Sequence, residues 1–248
     1  VKLLLPTSEK VNKPNYGYIN PFDLMLEISE VAEEGDFVIP ASSGASFTVA
    51  MQTFRVKDKQ TVITNKGLAS MGYGLSGAIG ASIVGRNSRT WLFEGDGGFA
   101  QNLQELGTVA AQNLNLKMFI MANNGYASIR MTQRNYFNGS WIGCDTATGL
   151  GLANLEALAS AYSIDFVRLS DNIEERHMQL LEIKDGARPA LVEVPIDPEQ
   201  SYFPKISSVA LPNGSMRSNP LHLMDPELPL NVKESVFRYL GNEGALRE

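Results

Sequence analysis

Glu94-Gly95-Asp96-Gly97-Gly98-Phe99 is followed, 27 residues after Asp96, by Asn123 within Met121-Ala122-Asn123-Asn124-Gly125-Tyr126. These residues carry the strongest chemical signal in the chain. An aspartate supplies a hard anionic oxygen and an asparagine a neutral carbonyl oxygen. Gly97 and Gly98 allow backbone N–H groups to approach a phosphate at a helix N-terminus. Together they suit a divalent cation bound with a diphosphate. Mg²⁺ fits best, because it takes one or two carboxylates and completes its octahedron with phosphate oxygens and water.

The spacing requires a particular scaffold. Thr90-Trp91-Leu92-Phe93 reads as a short buried strand, and residues 102–112 have helical periodicity through Leu103, Leu106, Val109 and Ala110. Residues 117–122 then form the next buried strand. A right-handed β-α-β crossover returns the second strand parallel to the first, so Asp96 and Asn123 meet at one sheet edge. A Gly-Asp-Gly alone is usually a turn; the Asn-Asn-Gly at this distance is what makes it informative.

The rest of the chain continues the alternation. Asn20 is an N-cap before Pro21 at the first helical position, and apolar residues follow to Val31. Asp36 to Ile39 and Val62-Ile63 read as strands, as do residues 164–168 and 190–194. Helices are expected at 45–54, 71–84, 152–162 and 173–183. The fold class is therefore α/β: a doubly wound, mainly parallel sheet of about six strands with helices on both faces. Ligands in such sheets bind beyond the carboxyl ends of the strands, where Gly44, Asp96 and Asn123 fall.

A chain of 248 residues with 44% hydrophobic content can bury a sizeable core. The net charge of −6 and a pI near 5.1 speak against nucleic acid or an anionic membrane as partner. A diphosphate must then be held by local devices: a metal, helix N-termini and backbone donors. Cys144 is the single cysteine, so no disulfide framework or cysteine-rich metal site is expected. No apolar run approaches the roughly 20 residues that span a bilayer. A cytoplasmic chain is expected.

Residues 1–19 start at Val1 and contain Pro6, Pro14 and Gly17; they read as an interdomain linker. This makes the chain the expected C-terminal portion of a longer polypeptide, with a separate subunit as the alternative. Residues 20–197 are the expected binding domain. Residues 198–248 form a Pro-rich tail with a short helix from Asn231 to Leu240, and Leu221, Leu223, Met224 and Leu228 give that tail apolar surface. Between Tyr126 and Gly151, Arg130 and Gln133 are open to two readings, substrate contact or a mixed surface helix. His177 sits in a Glu-rich, solvated helix face, and His222 has no partner that the sequence names. A P-loop nucleotide binder would need Gly-Lys-Ser/Thr, which the sequence lacks.

The Gly-Asp-Gly to Asn-Asn pattern resembles the diphosphate-binding half of thiamine-diphosphate enzymes, from about Pro21 to about Pro229. The block Gly67-Leu68-Ala69-Ser70-Met71-Gly72-Tyr73-Gly74-Leu75 is similar to a second family motif, with wording closest to acetolactate synthase and related 2-oxoacid carboligases and decarboxylases. The resemblance implies Mg²⁺ on Asp96, Asn123 and the backbone carbonyl of Gly125. It implies that Met71 wedges beneath a bent cofactor while the Ala69 carbonyl accepts from the aminopyrimidine. It extends the cofactor-binding set to Gly95, Gly97, Gly98, Tyr126 and Ala127.

One departure stands out. The first loop reads Pro40-Ala41-Ser42-Ser43-Gly44-Ala45-Ser46, where acetolactate synthases commonly carry Gly-Gln-His. Gly44, Ala45 and Ser46 are the expected diphosphate contacts there. The catalytic glutamate of the family lies on a pyrimidine-binding domain of the same or a partner subunit, and no residue of this chain matches it; Glu105 does not take that role. The implied function is the thiamine diphosphate/Mg²⁺-binding domain of an acetolactate-synthase-like enzyme acting on a 2-oxoacid, homodimeric or homotetrameric at full length. Any FAD site rests with domains outside the chain. The alternatives are a catalytically silent cofactor-binding or regulatory module, and a carboligase acting on a sugar-linked or other ketone acceptor.

Overall fold

The computed structural model describes residues 10–240 apart from 87, 207, 221, 222 and 228. The readings of Leu221, His222 and Leu228, and of residues 1–9 and 241–248, lie outside the described residues. The chain divides into two units, Lys13–Gln200 and a second combining the N-terminal residues to Asn12 with those from Ser201 onward. In the second unit, Lys205–Ile206 pairs antiparallel with Met224–Asp225, and Ser208–Ala210 pairs with Met216–Ser218. A helix spans Leu230–Leu240.

The Lys13–Gln200 unit is built on one parallel sheet. In chain order it contains α1 (Pro21–Val31), β1 (Phe37–Pro40), a π-helical turn at Ala45–Val49 running into α2 (Ala50–Thr53), β2 (Thr61–Val62), α3 (Tyr73–Val84) and β3 (Thr90–Gly95). There follow α4 (Asp96–Phe99), a 3₁₀ turn at Ala100–Glu105, α5 (Leu106–Ala111), β4 (Leu116–Ala122), α6 (Ala127–Tyr136), α7 (Leu155–Ala161), β5 (Asp165–Arg168), α8 (Ile173–Asp185) and β6 (Ala190–Pro195). The strand order is β2-β1-β3-β4-β6-β5, with every pairing parallel. The six strands expected from the sequence are these six.

Burial explains their composition. The central strands β3 and β4 are covered on both faces, which is why they read as continuous apolar runs. Trp91, Phe93 and Phe119 stack on one face with ring centroids 5.8 Å apart. Leu92, Met118, Ile120 and Leu191 line the other, packed with Leu75 and Ala78 of α3, Leu106 and Val109 of α5, and Leu155 and Ala159 of α7. The edge strand β2 is exposed. Asparagine side chains cap α1, as the sequence indicates, and also α7 and α8. Asn20 Oδ1 accepts the Phe22 amide at 2.9 Å, Asn154 Oδ1 that of Ala157 at 2.8 Å, and Asn172 Oδ1 that of Glu174 at 3.0 Å.

The helix expected over 102–112 opens on a kink and a 3₁₀ turn and is α-helical only from Leu106 to Ala111. Asn102 sits at φ −145°, ψ 32°, between α4 and α5. Its side chain explains the kink: Nδ2 donates to Ser76 Oγ at 2.6 Å and to the Gly72 carbonyl at 3.2 Å, docking this turn onto the start of α3. Apolar periodicity does not register a side chain that leaves its own helix for a neighbouring one.

On the opposite face, α1 and α8 are joined by an ion pair. Arg176 Nε and Nη2 donate to the two Glu27 oxygens at 2.7 Å each, while Nη1 donates to the carbonyls of Ser170 and Asp171. The arginine side chain is only 4% exposed. Removing one member of such a pair leaves an uncompensated charge in a dry environment. Arg176→Ala should therefore lower stability by about 3 kcal/mol in urea denaturation, whereas Glu27→Leu with Arg176→Met should cost far less.

Candidate functional site

The crossovers from β1 and β3 leave in opposite directions, since β2 lies on one side of this pair and β4 on the other. That divergence opens a crevice beyond the carboxyl ends of the strands. Asp96 follows β3 directly and is 9% exposed. Its Oδ1 accepts the Gly97 amide at 2.7 Å, and its Oδ2 accepts the amides of Asn123 at 3.1 Å and Gly125 at 3.0 Å. The two motifs thus meet through a carboxylate held by three backbone donors.

Asn123 is 7% exposed, and its Oδ1 is buried without a hydrogen-bond partner. A buried amide oxygen left unpaired is costly unless something outside the protein completes it. A hard cation would do so. The carbonyl of Gly125, which accepts the Ala127 amide at 2.9 Å, retains a second lone pair on the same turn. Among the described residues no three His, Cys, Asp or Glu side chains cluster at metal-binding distances. A cation here would therefore be held by one carboxylate with amide and carbonyl oxygens, a donor set that would leave Mg²⁺ open to phosphate.

The turn tolerates little else. Asn124 and Gly125 have φ of 63° and 111°, and a Cβ on Gly125 would lie 2.5 Å from the Cys144 carbonyl. The Tyr126 ring lies on Gly97, where a Cβ would meet it at 2.4 Å, and its hydroxyl accepts from Gln101 Nε2 at 2.9 Å. Gly44, at φ 62° and ψ −132°, turns the first loop in a conformation open only to glycine. Ser43 Oγ lies 3.0 Å from Ser128 Oγ of α6, joining that loop to the far side of the site. Ala69 has φ 50° and Met71 is 45% exposed at the entry to α3. The non-glycine residues Ser42, Ala69 and Asn124 all hold left-handed backbone, at an expected cost of about 1–3 kcal/mol each.

Two residues stand differently from their sequence readings. Ser46 is 1% exposed, and its hydroxyl donates inward to the carbonyls of Ala41 at 2.8 Å and Ser43 at 2.9 Å; it fixes the loop and does not present a donor to the crevice. Arg130 is 4% exposed and donates to the carbonyls of Asn123, Asn124 and Pro198, so it shapes the asparagine turn and does not reach for substrate. Gln133 likewise bonds the backbone of Ile142, and His177 is exposed on α8. A cavity of about 330 Å³ flanks Asp96 and Asn124 beyond β4, β6 and β5, where Arg168 pairs with Glu193 at 2.6 Å.

Glu94 has no role in the sequence reading beyond its place in the motif. It is fully buried, its Oε1 accepting from Ser42 Oγ at 2.9 Å. Burial pushes its pKa from 4.5 up to about 7, against the opposing pull of Ser42 and the Gly72 and Leu75 amides. Burial likewise lifts Asp96 from 3.8 to about 6, against the amides of Gly125, Gly97 and Asn123 and the charge of Arg130. Both carboxyls therefore keep protons in the fold that they release on unfolding. The cofactor-free chain loses stability from these two groups as pH rises from about 4 to about 7. Urea unfolding across that range should show a steeper fall for the wild type than for the Glu94→Gln, Asp96→Asn double variant; parallel profiles would refute the assignment.

Comparison with known proteins agrees with this geometry. Residues 42–194 match the sequence model of the family described as thiamine pyrophosphate enzyme, C-terminal TPP binding domain. The chain is 26% identical over 219 residues to the acetolactate synthase large subunit of Parasynechococcus marenigrum (strain WH8102), covering 88% of this chain and 34% of that protein. It is 28% identical over 192 residues to the acetolactate synthase isozyme 1 large subunit of Escherichia coli (strain K12), covering 77% of this chain and 32% of that protein. The chain spans about a third of the length of these relatives. Among solved structures, the Rhodococcus jostii RHA1 thiamine diphosphate-dependent 4-hydroxybenzoylformate decarboxylase superposes with a TM-score of 0.65 at 17% identity, over 78% of this chain and 35% of that one. At that identity the likeness speaks for the fold alone. With more than half of its residues inside the family match, the chain belongs to the thiamine pyrophosphate enzyme family and carries its C-terminal TPP-binding domain, of the acetolactate-synthase-like kind.

Proposed function

We propose that this chain holds Mg²⁺ and thiamine diphosphate for an acetolactate-synthase-like 2-oxoacid carboligase or decarboxylase, working with a pyrimidine-binding domain that it does not itself contain. The observation that carries the reading is the unpartnered Asn123 Oδ1 beside an Asp96 carboxylate already fixed by three amides. Asp96, Asn123 and the Gly125 carbonyl would hold the cation. The amides of Gly97 and Gly98 and the Gly44–Ala45 backbone would hold the diphosphate, and Ala69 with Met71 the rings. When bound, thiamine diphosphate supplies a carbanion that attacks a carbonyl and then accepts the electrons freed by decarboxylation.

Neither Glu94 nor Glu105 is placed to activate an aminopyrimidine. Glu94 is enclosed beneath the loops, and Glu105 accepts from Thr108 Oγ1 at 2.9 Å. This favours a division of labour in which the missing domain supplies the acid–base group, typically about 10² to 10⁴ in rate. It equally fits the second reading, a module that binds the cofactor without turning it over. Leu68, 87% exposed, and Met71 lie at the strand-end edge where a second domain or copy would cover them.

Asp96→Ala should weaken thiamine diphosphate binding in the presence of Mg²⁺ by more than about tenfold in calorimetry. Equal affinity in the two proteins would sink the cation assignment. The 248-residue chain alone should release no CO₂ from pyruvate, and adding a pyrimidine domain bearing the glutamate should restore release. Activity from the chain alone would show a base inside it, and silence of the reconstituted pair would leave the binding-module reading.

A further inference from the structure

Glu94 is a carboxyl that neither the proposed cation site nor the diphosphate turn uses. It leaves β3 toward α3 and is 0% exposed. Its Oε1 holds the Ser42 hydroxyl of the first loop at 2.9 Å, while its Oε2 is buried without a full hydrogen bond. The amides of Gly72 and Leu75 at the start of α3 attract the carboxyl without closing a full bond to Oε2. No side chain hydrogen-bonds to cap α3 at Gly72, and the Glu94 carboxyl lies toward that helix end.

The surroundings are shaped to admit it. A Cβ on Gly74 would lie 2.3 Å from Oε2, and a Cβ on Gly98 would lie 2.5 Å from Ser42 Oγ and 3.0 Å from Oε1. The loop residues on either side hold left-handed backbone: Ser42 (φ 61°) and Gly44 (φ 62°) on one, Ala69 (φ 50°) and Gly72 (φ 82°) on the other. Such conformations persist where several contacts determine them together. An apolar side chain would fill this space without the desolvation cost of a carboxyl. It would supply no directional hold on the Ser42 hydroxyl or on the start of α3.

We propose that Glu94 is a positioning residue that sets the spacing between the two halves of the cofactor cradle, an inference that rests on reading this site as a thiamine-diphosphate site. One arm runs through Ser42 and Gly98 to the diphosphate turn. The other runs through Gly74 at the start of α3 toward Ala69 and Met71, which would hold the rings. Glu94 itself touches no ligand in this arrangement.

Glu94→Gln keeps the shape and one acceptor but turns an NH₂ toward the amides of α3, donor against donor. Two measurements on the full chain test the proposal. In cofactor-free hydrogen exchange, Glu94→Gln should quicken residues 42–46 and 69–75 together by about tenfold, leaving β6 and α8 unchanged. In calorimetry with Mg²⁺, thiamine diphosphate should lose about tenfold more affinity than inorganic pyrophosphate, because only the longer ligand depends on the spacing. A merely structural role would weaken both ligands alike. Equal losses, unchanged exchange, or a change confined to one loop overturns the proposal. Should Glu94→Gln fail to fold, Ser42→Ala removes a single bond, and faster exchange across the carboxyl at 69–75 is the result that upholds the coupling; its absence overturns it. A wild type that binds neither ligand would sink the proposed function, while the exchange result would still decide the role of Glu94.

Discussion

Three backbone amides, those of Gly97, Asn123 and Gly125, converge on the carboxylate of Asp96. Each bond draws on a different part of the fold. The Gly97 amide needs a helical turn to begin at Asp96, and the Asn123 amide needs β4 to run beside β3 in register. The Gly125 amide needs the left-handed step at Asn124. If the register slipped by one residue, the second and third bonds would be lost together. The buried packing of β3 and β4 is what prevents that slip, so the hydrophobic core and the site are set by the same alignment.

The surrounding charges follow from the same constraint. A carboxylate this buried is expensive, and burial does raise the pKa of Asp96. Arg130 offsets part of the cost from behind, by hydrogen-bonding the carbonyls of Asn123 and Asn124 and leaving the front of the carboxylate open. The guanidinium thereby favours ionisation without occupying the position a cation would take. A cation bound at the carboxylate would not compete with the arginine, whose hydrogen bonds go to the carbonyls of the asparagine turn.

Much of this was legible in the sequence because it depends on local chain properties. The central strands are short apolar runs, α1 opens on its Asn20 cap, and the 27-residue interval fits one β-α-β crossover. What was not legible arises from side chains that act across elements. Asn102 turns its side chain to Ser76 and Gly72, so the helix read from periodicity opens on a kink and a 3₁₀ turn that periodicity does not register. Arg130 has the composition of a surface residue and is buried only because three carbonyls turn toward it. Ser46 is a donor by type, but its direction is decided by the Ala41 and Ser43 carbonyls. Glu94 could have been flagged, since a lone acidic residue at the end of a buried strand needs an explanation.

The contacts around Gly97 and Gly125 bear on how such a chain can drift. Tyr126 closes over one glycine, and the Cys144 carbonyl with Leu150 closes over the other. Nearly any single codon change at either position places a carbon where an aromatic ring or a backbone oxygen already sits. A Cβ on Gly151, in the segment after α6, would meet nothing within 4 Å, and that residue does not need left-handed backbone. Genetic variation is thus channelled: the floor of the site resists replacement while the segment at its rim has room to change. A lineage built on this architecture can alter what approaches the site long before it can alter what the site holds.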